Sequence, residues 1–501
     1  MNSQEDQLSR RDFLKKTAAA TGSATVLATA GLTVTACNSA SSGQNVTLKM
    51  WDSYVTQGPW MDNEIKLFHQ ANPNITIKRT TYDYSKYADL FNLAEKSNTA
   101  PDVFMIPASP SFNDQVKNNW LLPISDQPGY TDFVKTFPNP SLNFVVDSNI
   151  DRATGKTYSA PFGGSEPNIE LWVNTKVFKD AGLVDSSGNV MVPGTLDEML
   201  QASRTIKQKS NGSVYGYGFG AKLPYQDIWL IDLITILSSY GSISGMNYLT
   251  GKFDFADNPV YKTAIDWLVQ MKNEKHIIPD TSSVDDEGIR FLFSQHKFGM
   301  LLGGIWVING WQQTSPNFTQ YTMRRAPLMG TTQLKGAYNT SPGGTNFGIN
   351  GKTKYKDAAW AWFKWLYSKE AGERWVKAGN GTSVFPDANK PEYAQNEAMR
   401  NFFELSKTLV KVTPQPGLRN PDTSKVNPVA VVPSESDIVR GAFTGQITDV
   451  AGALRTLQQK RQKAFDQAIA DAVAAGAHVS ASDYTFPDWD PLKDYITKPK
   501  S

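Results

Sequence analysis

The chain has 501 residues, and its 50 Lys and Arg against 48 Asp and Glu leave a formal net charge of +2. So balanced a charge offers no basic excess for a phosphate backbone, which excludes nucleic acid as the expected partner. The length exceeds what one hydrophobic core usually supports, predicting two domains or lobes, and 13 Trp, 19 Tyr and 25 Phe make the chain rich in aromatic side chains.

The first predicted element is a leader. Ser9-Arg10-Arg11-Asp12-Phe13-Leu14-Lys15 resembles a twin-arginine export signal, and a weakly apolar run from Ala18 to Ala36 follows it. The run ends in Val34-Thr35-Ala36-Cys37, which resembles a lipobox, with small residues ahead of a cysteine that takes a lipid. The run is about long enough to span a bilayer, but it is rich in Thr, Gly and Ala and poor in Leu, Ile and Phe. Cleavage before Cys37 accounts for both ends of the segment, so residues 1–36 are read as a signal peptide and Cys37 as the lipidation site. Cys37 is the only cysteine, so no disulfide is expected. Residues 37–44 then form a small, polar tether. The expected location is extracytoplasmic, with the body anchored to the cell membrane as a lipoprotein.

Val46-Thr47-Leu48-Lys49-Met50-Trp51 alternates like a strand. Met61, Ile65 and Phe68 mark one face of a helix that Asn72-Pro73-Asn74 stops. Ile75-Thr76-Ile77 begins a second strand, Tyr87, Leu90 and Ala94 mark a second helix, and Val103-Phe104-Met105-Ile106 is a short buried strand. Strand, helix, strand, helix, strand predicts an open parallel α/β sheet. Ligands of such sheets sit at the carboxyl ends of strands, here Asp52 to Tyr54 and Pro107 to Ser109. Thr195 and Glu198 are spaced as a capping box for a helix carrying Met199, Ser203 and Ile206.

Several stretches, in order, resemble the extracellular solute-binding proteins of sugar-importing ABC transporters, the maltose-binding type. They are Gly155 to Phe162, Leu171-Trp172-Val173-Asn174, Phe178 to Leu183, Pro193 to Glu198, and Phe291 to Gly304 with Trp306. Pro327, Gly343-Gly344, Ile349, the helix Tyr355 to Tyr367, the turn Gly379 to Pro386 and the long helix from about Thr448 to Ala472 continue the match. His296 stands where the family usually has Gly. The resemblance implies an α/β two-lobe periplasmic-binding-protein-like fold (type II) with hinge-linked lobes. Residues 45–167 and 328–385 would form lobe I, and 168–327 with 386–501 lobe II.

The resemblance also suggests where a sugar would bind. Aromatic faces stack on its C–H face and fixed polar groups bind its hydroxyls. In the family the tryptophan matching Trp306 stacks on sugar, and the preceding Gly303-Gly304 would let backbone approach a ligand. Tyr225 matches the family's other second-lobe aromatic by position, and Trp229 matches it by chemistry. Asp52 and Tyr54 follow the first strand. Ser109 stands where the family often has a sugar-binding acid. Glu166 lies on the first crossing segment, facing the cleft if the match holds, and Gly344 with Thr345 offer backbone and hydroxyl contacts.

Other clusters read as structural. Trp360, Phe363 and Tyr367 form a core stripe, with Trp362 and Trp365 at a lobe interface. Arg324-Arg325 read as solvated surface or strand-end charges, and Asp285-Asp286-Glu287 as exposed acids lacking the spacing of a calcium loop. The four histidines show no metal-ligand spacing, so neither metal nor cofactor is expected. No Gly-x-Ser-x-Gly elbow or phosphate-binding loop is present, and the chain is read as no enzyme. The expectation is a monomeric receptor that captures a carbohydrate, an oligosaccharide by its aromatic wealth, and delivers it to an ABC permease. A secreted carbohydrate-active enzyme, a same-fold receptor for a non-sugar solute and an adhesion or signalling protein are the alternatives.

Overall fold

The computed structural model describes residues 45–138, 149–151, 154–167, 169–222, 229–230, 234, 241–324, 336–340 and 346–500. Strand β1 (Val46–Asp52) has Leu48, Met50 and Asp52 buried and Lys49 exposed, so its inward face is chosen by the alternation itself. Helix α1 (Gly58–Ala71) starts on Pro59, whose missing N–H costs nothing in a first turn. Strand β2 (Ile75–Thr81) pairs parallel with β1 over its whole length, from Val46 beside Ile75 to Asp52 beside Thr81. Helix α2 (Tyr84–Lys96) is capped by Asp83, which accepts from the Ser85 N–H at 2.9 Å. Strand β3 (Val103–Met105) pairs parallel with the other side of β1.

The chain then crosses to a second sheet. Its strands are β4 (Glu170–Asn174), β5 (Tyr215–Gly218), β6 (Phe298–Gly303) and β7 (Tyr321–Met323), in the order β7-β4-β6-β5. β6 is parallel to β5 and antiparallel to β4. Helix α3 (Leu196–Lys209) feeds β5, and Thr195 caps it by accepting from the Glu198 N–H at 3.2 Å. The expected capping box is only half formed, because the Glu198 carboxylate takes the Gly194 N–H at 2.6 Å instead of the Thr195 N–H. Helix α4 (Pro259–Asn273) packs on α3. Helix α5 (Asp286–Ser294) leads to β6 through His296, whose φ of +58° is left-handed. A backbone that favours glycine is thus met by histidine, one of the residues that tolerates it. Its ring Nδ1 lies 3.1 Å from Asn174 Oδ1. Helix α6 (Val307–Thr314) follows β6 directly.

Strand β8 (Phe347–Ile349) returns to the first sheet and lies antiparallel to β3, giving the order β8-β3-β1-β2. Helix α7 (Lys356–Leu366) covers that sheet, and helix α8 (Lys369–Lys377) follows. Trp360, Phe363 and Tyr367 are buried, as their spacing requires. Trp362 and Trp365 correct the interface reading. Both rings pack on Phe68 of α1, and the Trp365 Nε1–H donates to Glu64 at 2.9 Å. Glu64 is fully buried and holds Arg374 of α8 by two bonds of 2.6 and 2.7 Å, so the pair closes the first lobe's own core.

Helix α9 (Val450–Ala474) lies with the second lobe, where Gln458 and Gln462 accept from the Ala256 and Phe253 N–H groups. No helix among the described residues is long and apolar enough to cross a membrane.

Candidate functional site

A cavity of about 350 Å³ lies where the loops of the two sheets face each other. The first lobe contributes Ser53 to Gln57, Asp83, Tyr84 and Met105, and the second contributes Asp285, Asp286, Glu287, Arg290 and Trp306. Its position beyond β1 and β3 follows from strand direction, since parallel strands present their carboxyl ends together. Direct bonds run between the lobes, and two from side-chain amides illustrate them. The Gln313 side-chain amide of α6 donates to the Thr56 carbonyl at 2.7 Å, and that of Asn113 donates to the Ser424 carbonyl at 2.8 Å.

Trp306 is half-buried and its ring meets that of Trp229 edge-on at 6.4 Å. The structure thus brings together two of the aromatic residues singled out in the sequence. The glycines before Trp306 serve it differently from the expectation. A Cβ on Gly304 would fall inside the Trp306 ring, and one on Gly303 would lie 2.7 Å from Val307. They make room for the indole and for α6, where backbone approach to a ligand had been expected.

Tyr54 is 8% exposed and lines the cavity, with its ring 5.6 Å from both Phe347 and Trp375. Asp52 is a correction, for it is fully buried and lies outside the lining. The parallel neighbour β2 places Arg79 beside it, and two guanidinium N–H groups donate to its carboxylate at 2.7 and 3.0 Å. The Tyr54 N–H donates to the same carboxylate at 3.1 Å, while Arg79 donates to the Tyr54 carbonyl at 2.8 Å. Asp52 fixes the turn that carries Tyr54 from behind the cavity's lining.

Ser109 is exposed and also lies outside the lining, in a turn that the Gln115 amide holds by donating to the Pro107 and Pro110 carbonyls. Glu166 departs from the cleft-facing expectation. Its carboxylate accepts from the N–H and hydroxyl of Thr382, both at 2.7 Å, joining two of the segments that run between the lobes. Burial pushes this carboxyl up to about 7 against the lowering effect of those bonds. Arg324 is the strand-end charge of the two readings, directly after β7: it donates to the Pro193 carbonyl at 3.1 Å and lies near a buried pair, Glu170 and Tyr338, whose hydroxyl donates at 2.5 Å. Cys37, Tyr225, Arg325, Gly343, Gly344 and Thr345 lie outside the described residues.

The acids Asp285-Asp286-Glu287 are not idle surface groups. Asp285 caps α5 by accepting from the Gly288 N–H at 3.0 Å, and Asp286 and Glu287 both pair with Arg290, one turn along. That i+3 and i+4 spacing was visible in the sequence, but their position on the cavity was not. Asp83 was missed altogether; its only signal was the N-cap pattern before α2. Burial pushes the Glu287 carboxyl up, and the charges of Asp285 and Asp83 add to the effect. Among the described residues no group of three or more His, Cys, Asp or Glu is arranged to hold a metal. Larger hollows lie elsewhere, among them one of about 1010 Å³ beside α9, one of about 740 Å³ along the crossing segments and one of about 600 Å³ beside Arg324 and Glu397.

The model of the bacterial extracellular solute-binding proteins matches residues 52–373. A binding protein of Brucella abortus strain 2308 is 24% identical over 386 residues, covering 74% of this chain and 83% of its own. Among solved structures, a chain from work on xylan utilization by the thermophilic bacterium Caldanaerobius polysaccharolyticus has a TM-score of 0.65 at 20% identity, covering 83% of this chain and 100% of its own. The GacH receptor of Streptomyces glaucescens, solved unliganded and with acarbose, has a TM-score of 0.61 at 18% identity, covering 82% and 98%. A solute-binding protein of an ABC transporter from Thermotoga lettingae, bound with α-D-tagatose, has a TM-score of 0.62 at 20% identity, covering 84% and 99%. At these identities the likeness shows a shared two-lobe fold.

Proposed function

We propose that this chain, which belongs to the bacterial extracellular solute-binding proteins, captures a carbohydrate between its lobes and delivers it to the permease of an ABC importer. As a solute-binding protein it is a receptor and not an enzyme. The observation that carries the carbohydrate reading is the cavity between the lobes, walled on one side by Trp306 against Trp229 and on the other by Tyr54. An indole with a wet edge suits the C–H face of a sugar ring, and the surrounding carboxylates suit its hydroxyls. The sugars bound by the Streptomyces and Thermotoga proteins support the same class.

In this reading, lobe I comprises 45–167 and 328–385, and lobe II comprises 168–327 and 386–501. Closure follows from differential affinity, because a solute touching both walls binds the closed form more tightly than the open one. Cleavage of the 1–36 leader and lipidation at Cys37 would hold the body near its permease on the tether 37–44. The larger part of an oligosaccharide would project from the mouth, since about 350 Å³ is at the small end for ligand sites.

A thermal-shift panel of mono- and oligosaccharides, anions and polyamines tests this. A sugar at about 100 times its dissociation constant should add about 2.7 kcal/mol of stability. Stabilisation by anions or polyamines alone would leave the fold and remove the carbohydrate claim.

A further inference from the structure

The walls of the cleft differ from a neutral sugar site in their charge. Asp83 of the first lobe and Asp285, Asp286 and Glu287 of the second all line the cavity. Against these four carboxylates stand two cationic side chains. Arg290 is 4% exposed and is engaged by Asp286 and Glu287, while Lys222 lies 3.5 Å from Asp285. Asp83 has no ion pair among the described residues and accepts only from the N–H and hydroxyl of Ser85. Four carboxylates against two cations among the described residues leave this region net negative, with acids on both walls of one cavity.

Asp83 and Glu287 line the same cavity from different lobes. Burial raises the Glu287 carboxyl, and the charges of Asp285 and then Asp83 add to the effect. Like charges brought together oppose closure, and a positive charge placed between them would turn that repulsion into attraction from both lobes. A hydroxyl offers less, because it donates one neutral hydrogen bond. The aromatic wall of Trp306 supplies the other half of a receptor for a ring that bears a cation.

We infer that the solute is a carbohydrate bearing a protonated amine, held between Asp83 of the first lobe and Glu287 of the second. This inference rests on the carbohydrate reading above and names the class of sugar within it. Anionic sugars are excluded by the same walls.

The test uses matched pairs that differ only in charge: glucose and glucosamine, galactose and galactosamine, cellobiose and the chitosan disaccharide. The purified protein is titrated with each by calorimetry at low and high salt, beside Asp83→Asn and Glu287→Gln. Asparagine still caps a helix well, and Asp286 still pairs with Arg290 when Glu287 is changed, so both variants keep the fold. In at least one pair the amino sugar should bind about tenfold more tightly than its neutral partner, with the advantage shrinking as salt rises. Either variant should remove most of that advantage, lowering the amino sugar's affinity by more than the neutral sugar's. If neutral sugars bind and no amino partner binds better, the amine inference falls and the carbohydrate reading stands. An advantage that survives both variants overturns the role of these two carboxylates. If no sugar of either kind binds, the carbohydrate reading fails and takes this inference with it.

Discussion

The two walls of the cleft are built by opposite strategies. The first-lobe wall is an extension of a core: Tyr54 is anchored by the buried Asp52–Arg79 pair beneath it and by the Phe347 and Trp375 rings beside it. The second-lobe wall is an edge: Trp306 rests on glycine, and the acids around it sit at the start of α5, tied to Arg290, Lys222 and a backbone N–H. The difference teaches that one wall is fixed by burial and the other by local turns. Substitutions should therefore unfold the first lobe where they would only blunt binding on the second.

The largest expected effect sharpens that contrast. Arg79→Met strands the Asp52 carboxylate in the core, and losing one partner of a buried pair costs about 3–5 kcal/mol. Urea unfolding should show a loss of that order, whereas Glu287→Gln on the other wall should change stability little. A similar cost for both would break the comparison.

Gly304→Ala comes next. Its Cβ would occupy the Trp306 ring, so the indole must swing away, at about 1–3 kcal/mol for an overpacked site. Calorimetry should show sugar affinity falling with the melting temperature only modestly lowered.

Glu166 gives a pH signature between the walls. Its folded pKa of about 7 lies above the ordinary carboxylate value, so the folded form holds the proton more tightly than the unfolded one. The resulting stability is complete at low pH and is lost as pH rises from about 4.5 through 7, on the order of 1–3 kcal/mol. Glu166→Gln should flatten the slope of stability against pH across that window while preserving the acceptor for Thr382. An unchanged slope would show that the carboxyl titrates normally.

The smallest effect concerns the direct bonds between walls. Gln313→Ala removes the donor to the Thr56 carbonyl, worth about 0.5–1.5 kcal/mol. X-ray scattering should show a shift toward a larger radius in the sugar-free protein, and a sugar-saturated sample should close as before.

Much of the fold was legible because it is local. Alternation in Val46–Asp52, the helix stop at Asn72-Pro73 and the buried run Val103–Met105 all became the elements their periods demand. The site was less legible because its contacts are distant. Asp52 reads as a ligand group until Arg79, 27 residues away, arrives through parallel pairing. Glu166 reads the same way until Thr382, 216 residues on, takes its carboxylate. Sequence shows that Gly303-Gly304 needs space, but only three dimensions show that the Trp306 ring fills it. Asp83 and Glu287 look like ordinary surface acids until the fold puts both on the lining of one cavity.

The central claim is that a carbohydrate binds between these walls on Trp306. Its most direct test is calorimetric titration of the protein and of Trp306→Ala with the sugar that most raises the melting temperature. One-to-one binding by the parent protein, weakened at least about tenfold by Trp306→Ala with the fold intact, is the expected result. Equal affinity in the variant, or no sugar bound by either protein, would contradict it.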